Sequence, residues 1–245
     1  MSSGSVGLSV SDHVATLSFS IASDRELDEH VAADFREATI SISEDDAVRV
    51  VVVAGLSDLS HTETPTPVRT LIKLADCVAG IPKPVIATIG GDAMNQALEL
   101  ALACDIRVAS EASRFGFTYL THGQLPSNGA TQRLPRIIGQ PRALEMLLTS
   151  RVLHASEAVR IGLVHEAHPE RQVDERVRQL AKIIAELAPV AAQYLKEAIL
   201  KGSDMTLEQG MRLEADLSIL LQGTSDRAEG LMAFEKKREP GFTGN

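Results

Sequence analysis

Residues 83–105, Lys83 to Asp105, read KPVIATIGGDAMNQALELALACD. Val85 to Ile89 form a short apolar, β-branched run, the pattern of a strand covered on both faces. Gly90-Gly91 breaks that run, and the Ala- and Leu-rich segment from about Met94 to Cys104 has the composition of a buried helix. The helix therefore begins at the C-terminal end of the strand, with polar residues in its first turn. Glu99 is its one carboxylate, with Ala and Leu on every side. A lone acid in apolar surroundings needs a partner, a raised pKa or a chemical task. Glu99 is the first candidate functional residue, weighed against a structural carboxylate paired with Arg or with backbone N–H groups.

Toward the N-terminus, Val6 to Val10 and Ala15 to Phe19 alternate as two strands of a hairpin turning at Ser11-Asp12-His13. Arg25 to Ile40 carries a helical stripe of Leu27, Val31, Phe35, Ala38 and Ile40. Val48 to Ala54 is a β-branched run expected to be a strand, closed by Gly55. The polar segment from there to Pro67 is rich in breakers and reads as a loop, followed by an amphipathic helix over Val68 to Val78.

Toward the C-terminus, Ile106 to Ala109 and Arg114 to Phe117 are short strands. Helical periodicity returns from Asn128 to Ile138 and from Pro141 to Thr149, and Ser156 is expected to cap a short helix ended by Gly162. Gln172 to Lys201 and Thr206 to Lys237 read as helix, interrupted at Pro189 and near Gly202. Thr206 with Gln209 resembles a capping box. Strands and helices alternate in the first half, and the last third is helical, so the fold class is α/β. Leu213, Leu217, Leu220, Leu221 and Leu231 give that last third a broad apolar surface, to be covered by the core or by another copy.

The 245 residues carry 24 basic and 33 acidic side chains, a net charge of −9. That balance excludes a nucleic-acid surface, which needs clustered Lys and Arg. It leaves room for an anionic small molecule held by a local cation or a helix N-terminus. The two cysteines, Cys77 and Cys104, sit in apolar settings and imply no disulfide framework, consistent with a reducing cytoplasm. No stretch reaches membrane-spanning length, and the N-terminal MSSGSVG lacks a signal-peptide pattern. Asp58, His61 and Glu63 crowd one loop without the Cys or helical His spacing of a metal site, so no metal is expected.

KPVIA, a turn, a helix with E-L-A and C-D-I, then R-F-G-F, a loop and G-A-T-Q-R-L followed by I-G together resemble the crotonase superfamily. A-L-E-M-L-L-T-S and E-A-V-R-I-G-L-V extend the likeness, which runs from roughly Ala47 to Phe242. The resemblance implies a spiral of ββα units over residues 1–187 and a helical trimerisation region over 188–245, with trimers often paired into hexamers. It implies enoyl-CoA hydratase or isomerase chemistry on acyl-CoA thioesters, with coenzyme A part of the substrate and no permanently bound cofactor. Two backbone N–H groups would form an oxyanion hole for the thioester enolate, and in hydratases two glutamates handle water and a proton. Such a site suits the chemistry, because a carbonyl gaining negative charge is stabilised by preorganised N–H donors.

The match is uneven at the residues that matter. Glu99 falls on the first hydratase glutamate, but the second falls on Tyr119, whose phenol stays protonated at neutral pH. The family's three-glycine run is here Asn95-Gln96-Ala97, with Gln96 at one oxyanion position and Glu63 at the other. His61 and His122 flank the candidate pocket. The N-terminal adenine-site pattern is replaced around Arg25, and an aromatic placed near adenine falls about at Ser218. Lys236, in Ala233-Phe234-Glu235-Lys236-Lys237-Arg238, matches a lysine that approaches the nucleotide phosphates. These departures support two readings: an acyl-CoA enzyme with impaired or altered activity, or a degenerate paralogue serving as acyl-CoA binder or oligomeric scaffold.

Overall fold

The computed structural model describes residues 4–20, 29–61 and 73–245. Two strands, β1 (Ser5–Ser11) and β2 (Val14–Ser20), form the antiparallel hairpin read from the sequence. Asp12 and His13 turn it, both at positive φ, the backbone that matches a tight two-residue hairpin turn to strand twist. Beside β2 lie β3 (Val50–Ala54), β4 (Val85–Ile89), β6 (Ile106–Ser110) and β9 (Glu166–His168), all parallel, in the order β1-β2-β3-β4-β6-β9. A second, three-stranded sheet joins β5 (Ala93–Met94), β7 (Arg114–Gly116) and β8 (Leu153–His154).

The pleat divides the larger sheet into two buried faces. Val50, Val52, Ile86 and Val108 point toward Val173, Val177, Ala181 and Ala185 of helix α7 (Glu170–Ala185). Their neighbours Val51, Val53, Val85, Ala87 and Ile89 face the main core. Both sides being covered explains why β3 and β4 are apolar throughout rather than alternating. On the main-core side lie α1 (Glu29–Glu44), α2 (Leu74–Ala79) and α3 (Gln96–Ala103).

Several expectations shift in detail. In α1 the stripe is Val31, Ala32, Phe35, Thr39 and Ile42, while Ile40 is exposed; the helix runs one turn further, because Ile42 gains a buried position worth about 1.5–3 kcal/mol. Met94 belongs to β5, so α3 starts at Gln96. Ser156 is a helical residue of α6 (Ala155–Arg160), whose N-cap is His154 without a side-chain bond. The C-terminal helix breaks once more than expected, into α9 (Leu207–Leu221) and α10 (Ser225–Glu235), because Thr224 caps a new start by accepting from the Arg227 N–H. The Thr206–Gln209 capping box is present. Glu63, Arg25 and the proposed helix start at Val68 lie outside the described residues.

Between the sheets and the C-terminal helices run α4 (Ala130–Ile138) and α5 (Gln140–Thr149). Helix α8 (Pro189–Gly202) pairs with α9, and Gly202 and Gly210 let the two backbones approach closely. Lys196 of α8 ties this region to the core through an ion pair to Asp105 at 2.7 Å and a bond to the Lys83 carbonyl at 2.9 Å. Among the described residues no helix is long and apolar enough to cross a membrane.

Candidate active site around Glu99

Helix α3 is clamped at both ends. Its residues from Ala97 to Ala103 are all buried, as an apolar helix inside a core must be. At the C-terminal end the buried Arg107 guanidinium donates to the carbonyls of Cys104 and Ala101, at 2.7 and 3.5 Å, and to Leu163. At the N-terminal end Asn95 stands at φ 51 and ψ −117, a conformation that favours glycine. The Asn95 side chain compensates: Oδ1 accepts the Thr118 N–H at 2.8 Å and Nδ2 donates to Thr118 Oγ1 at 2.9 Å. The helix start is thereby stapled to the loop that carries Tyr119.

Glu99 is 0% exposed. Tyr119 Oη donates to its Oε2 at 2.7 Å, and the N–H groups of Asn128 and Ala130 donate to its Oε1 at 2.8 and 3.2 Å. The two N–H groups converge because Gly129 between them adopts φ 96. A Cβ at Gly129 would lie 2.3 Å from Arg133 Nη1, so only glycine leaves room for that guanidinium. Arg133 in turn donates to the Asn128 carbonyl at 2.7 Å and pairs with Asp76 at 2.9 Å, fixing the turn.

Burial pushes the Glu99 carboxyl above its usual pKa, while the Tyr119 hydroxyl, the Ala130 and Asn128 N–H groups and the Arg133 charge pull it back. Burial, then the Glu99 charge and hydrogen bond, raise the Tyr119 phenol strongly, so it is held as a neutral donor. A carboxylate has about four acceptor sites. Three are filled, which leaves one, on Oε2 beside Tyr119. The site thus holds a shielded base with one open lone pair and a neutral hydroxyl attached to it.

The remaining candidates divide clearly. Gln96 opens α3 one turn before Glu99, and as the first helical residue its N–H belongs to the set without an intrahelical acceptor. Its side-chain Oε1 is shielded and has no donor among the described residues; Asn128 Oδ1 is in the same condition. His61 ends the 3-10 turn Leu56–His61, which packs against α3. His122 is exposed at the end of the 3-10 turn Tyr119–His122, within 3.2 Å of the Thr118 carbonyl and 3.1 Å of Thr121 Oγ1. Lys236 is exposed as the C-cap of α10, where its charge acts on Glu229. Ser218 is exposed on α9.

Thr118, Asn128 and Arg133 did not stand out in the sequence, and Asn95 stood out only as a departure from the three-glycine run. A signal existed for two of them: Asn is the residue type that best tolerates a glycine-like backbone, and Ser127-Asn128-Gly129 is a turn signature ahead of a helix. The Thr118 and Arg133 contacts carry no local pattern.

Residues 23–245 match the family model described as enoyl-CoA hydratase/isomerase, and the chain belongs to that family. It is 36% identical to (E)-benzylidenesuccinyl-CoA hydratase of Thauera aromatica, over 98% of this chain and 99% of that protein. It is 40% identical to 2,3-dehydroadipyl-CoA hydratase of Escherichia coli over 66% of this chain and 64% of that one. Among solved structures, the enoyl-CoA hydratase of Bacillus anthracis superposes with a TM-score of 0.89 at 31% identity, covering 98% of this chain and 99% of that one. The fold is accordingly the crotonase fold, α/β with a helical C-terminal region, and the family acts on acyl-CoA thioesters.

Proposed function

We propose that this protein catalyses proton-transfer chemistry on an enoyl-CoA thioester, hydration or double-bond isomerisation, with Glu99 as its one acid–base carboxylate. The observation that carries this reading is the 2.7 Å bond from Tyr119 to a fully shielded Glu99. A phenol at that place cannot act as a second base, but it holds Oε2 in a single orientation. In hydration, water oxygen bonds to the β-carbon as one O–H bond breaks and its proton passes to Glu99. The π electrons of the double bond move into the thioester carbonyl as an enolate. They return to form the new α-carbon–hydrogen bond as Glu99 releases the same proton. In isomerisation, Glu99 removes and returns a proton at two carbons of the same enolate system.

The Gln96 N–H at the start of α3 is suited to the thioester oxygen, since helix N-terminal N–H groups carry partial positive charge. Coenzyme A is part of the substrate in this reading, and Lys236 is offered to its phosphates. The exposed apolar residues Leu195, Ile199, Leu207 and Met211 on α8 and α9 support a homotrimer or hexamer. Mass photometry returning a monomer would remove that part.

The test uses crotonyl-CoA and butyryl-CoA. Wild type should consume the enoyl absorbance of the first and exchange the α-hydrogens of the second with deuterium oxide, and Glu99→Gln should lose both. Absence of both reactions together with no calorimetric binding of either thioester at millimolar concentration would leave the degenerate scaffold as the better reading.

A further inference from the structure

Asn128 presents a feature that proton transfer at Glu99 does not require. The residue is 6% exposed, and its Oδ1 is a buried acceptor without a donor among the described residues. A shielded, unpaired acceptor costs stability, so a fold retains one where something else supplies the donor. The same residue's backbone N–H is bonded to Glu99 Oε1 at 2.8 Å, so the residue that carries this unpaired oxygen adjoins the carboxylate. The position is also rigid: Arg133 holds the Asn128 carbonyl, and Gly129 fixes the turn.

Water adding across a double bond has two O–H groups to place. One points to the base that will take its proton, and a second acceptor fixes the direction of the attacking lone pair. Glu99 can be that base, through its remaining Oε2 site. Tyr119 already spends its hydroxyl hydrogen on Glu99, and its phenol oxygen is a weaker acceptor than an amide carbonyl oxygen. At a water's near-tetrahedral angle, two O–H···O bonds of about 2.7 Å bridge acceptors about 4.4 Å apart, so a single water serves two acceptors on adjoining residues.

We propose that Asn128 Oδ1 is the second acceptor for the attacking water, so that the Asn128 amide and Glu99 together orient the nucleophile for addition at the β-carbon. This rests on the hydratase form of the proposed function. It predicts that the two reactions of Glu99 separate: hydration needs the oriented water, whereas α-hydrogen exchange on a saturated thioester needs only the base and the enolate.

The decisive experiment compares crotonyl-CoA hydration with α-deuterium exchange of butyryl-CoA in wild type, Asn128→Leu and Asn128→Asp. Leucine keeps the branched shape and the backbone N–H but removes the acceptor. Misplacing a reactant typically costs about 100-fold, so hydration kcat should fall roughly 100-fold with KM little changed, while exchange stays within about threefold. Aspartate restores an acceptor oxygen, and hydration should return to within about tenfold of wild type, with its pH profile moved upward by the added charge beside Glu99. Equal loss of both reactions in Asn128→Leu would mark a structural role and overturn the proposal, as would unchanged hydration. If wild type exchanges α-hydrogens but hydrates no enoyl thioester, the water site is refuted while Glu99 keeps its role. If wild type does neither, the proposed function itself fails.

Discussion

Glu99 and Asp226 are carboxylates hidden from water to nearly the same degree, at 0% and 3% exposure. Each accepts three hydrogen bonds. Glu99 takes them from Tyr119, Asn128 and Ala130; Asp226 takes them from the Thr243 N–H, the Thr243 hydroxyl and the Gly244 N–H. The difference lies in what surrounds the satisfied acid. Asp226 stands in the first turn of α10, where the helix dipole favours a negative charge, and its donors come from the chain terminus it ties down. Glu99 sits inside an apolar helix with burial working against its charge, and two neighbouring residues carry further acceptors, Gln96 Oε1 and Asn128 Oδ1, without donors among the described residues. Satisfying a buried carboxylate is therefore no mark of function by itself. Unspent hydrogen-bonding capacity next to it is the distinguishing feature.

The sharpest way to break this comparison is Glu99→Gln. Loss of an acid–base group costs about 100- to 10,000-fold in rate, and hydration or exchange should fall by that amount. Folding should survive, because the Gln carbonyl can accept the Asn128 and Ala130 N–H groups while its amide donates to Tyr119 Oη. The raised pKa of Glu99 gives a signed expectation for stability. The folded state binds its proton more tightly than the unfolded chain, so this group's contribution declines as pH rises from the unfolded value, about 4.3, through the folded one. Urea titrations at several pH values should show a shallower decline in Glu99→Gln than in wild type. A steeper one would contradict the assignment of burial as the dominant cause.

Tyr119→Phe should act more gently, lowering kcat about tenfold by loosening Oε2. The Tyr119 hydrogen bond pulls the Glu99 pKa down, so its removal raises that pKa further. The acidic limb of the kcat/KM profile should move to higher pH. A limb that stays in place would mean that the phenol does not bond Glu99 in the working enzyme.

Asn95→Ala tests the staple rather than the base. It loses both bonds to Thr118 and leaves alanine at a positive φ, together worth about 1–3 kcal/mol of stability. Asn95→Gly loses the bonds but not the backbone fit, so its deficit should be smaller, and the gap between the two variants in chemical denaturation measures the strain net of glycine's greater freedom in the unfolded chain.

The strand, the glycine turn and the buried helix carrying Glu99 were legible because composition and period specify them: β3 and β4 are apolar on both faces, and α3 is apolar all round. The hairpin and the Thr206 cap were legible from turn and capping chemistry. The break at Thr224 had a signal, Gly223 followed by Thr224 and Ser225, that went unread because the apolar pattern resumes on the far side. The site was legible only in part. Glu99 and Tyr119 could be placed by resemblance, but their direct bond could not, because it spans the loop held by Asn95 and Thr118. Asn128 was hidden for the same reason: a polar residue in a turn is ordinarily a solvated one, and its burial is set by tertiary packing that no local pattern announces.

Asp226→Ala is the mildest variant and completes the contrast. It removes three acceptor contacts, yet two of the orphaned donors, the N–H groups of Thr243 and Gly244, belong to an exposed and a half-buried residue, where water can replace the lost acceptor. The cost should therefore sit near 1 kcal/mol rather than at the several expected for a sealed site. Hydrogen exchange should rise at residues 241–245 and in the first turn of α10, while hydration kcat and α-hydrogen exchange stay unchanged. A loss of activity comparable to that of Tyr119→Phe would mean that residues 241–245 and the Glu99 site are coupled, and Arg49 is the first anchor of that segment to examine. That side chain donates to the Phe242 carbonyl at 2.7 Å and to the Ala185 carbonyl at 3.0 Å, and it would then be the next residue to replace.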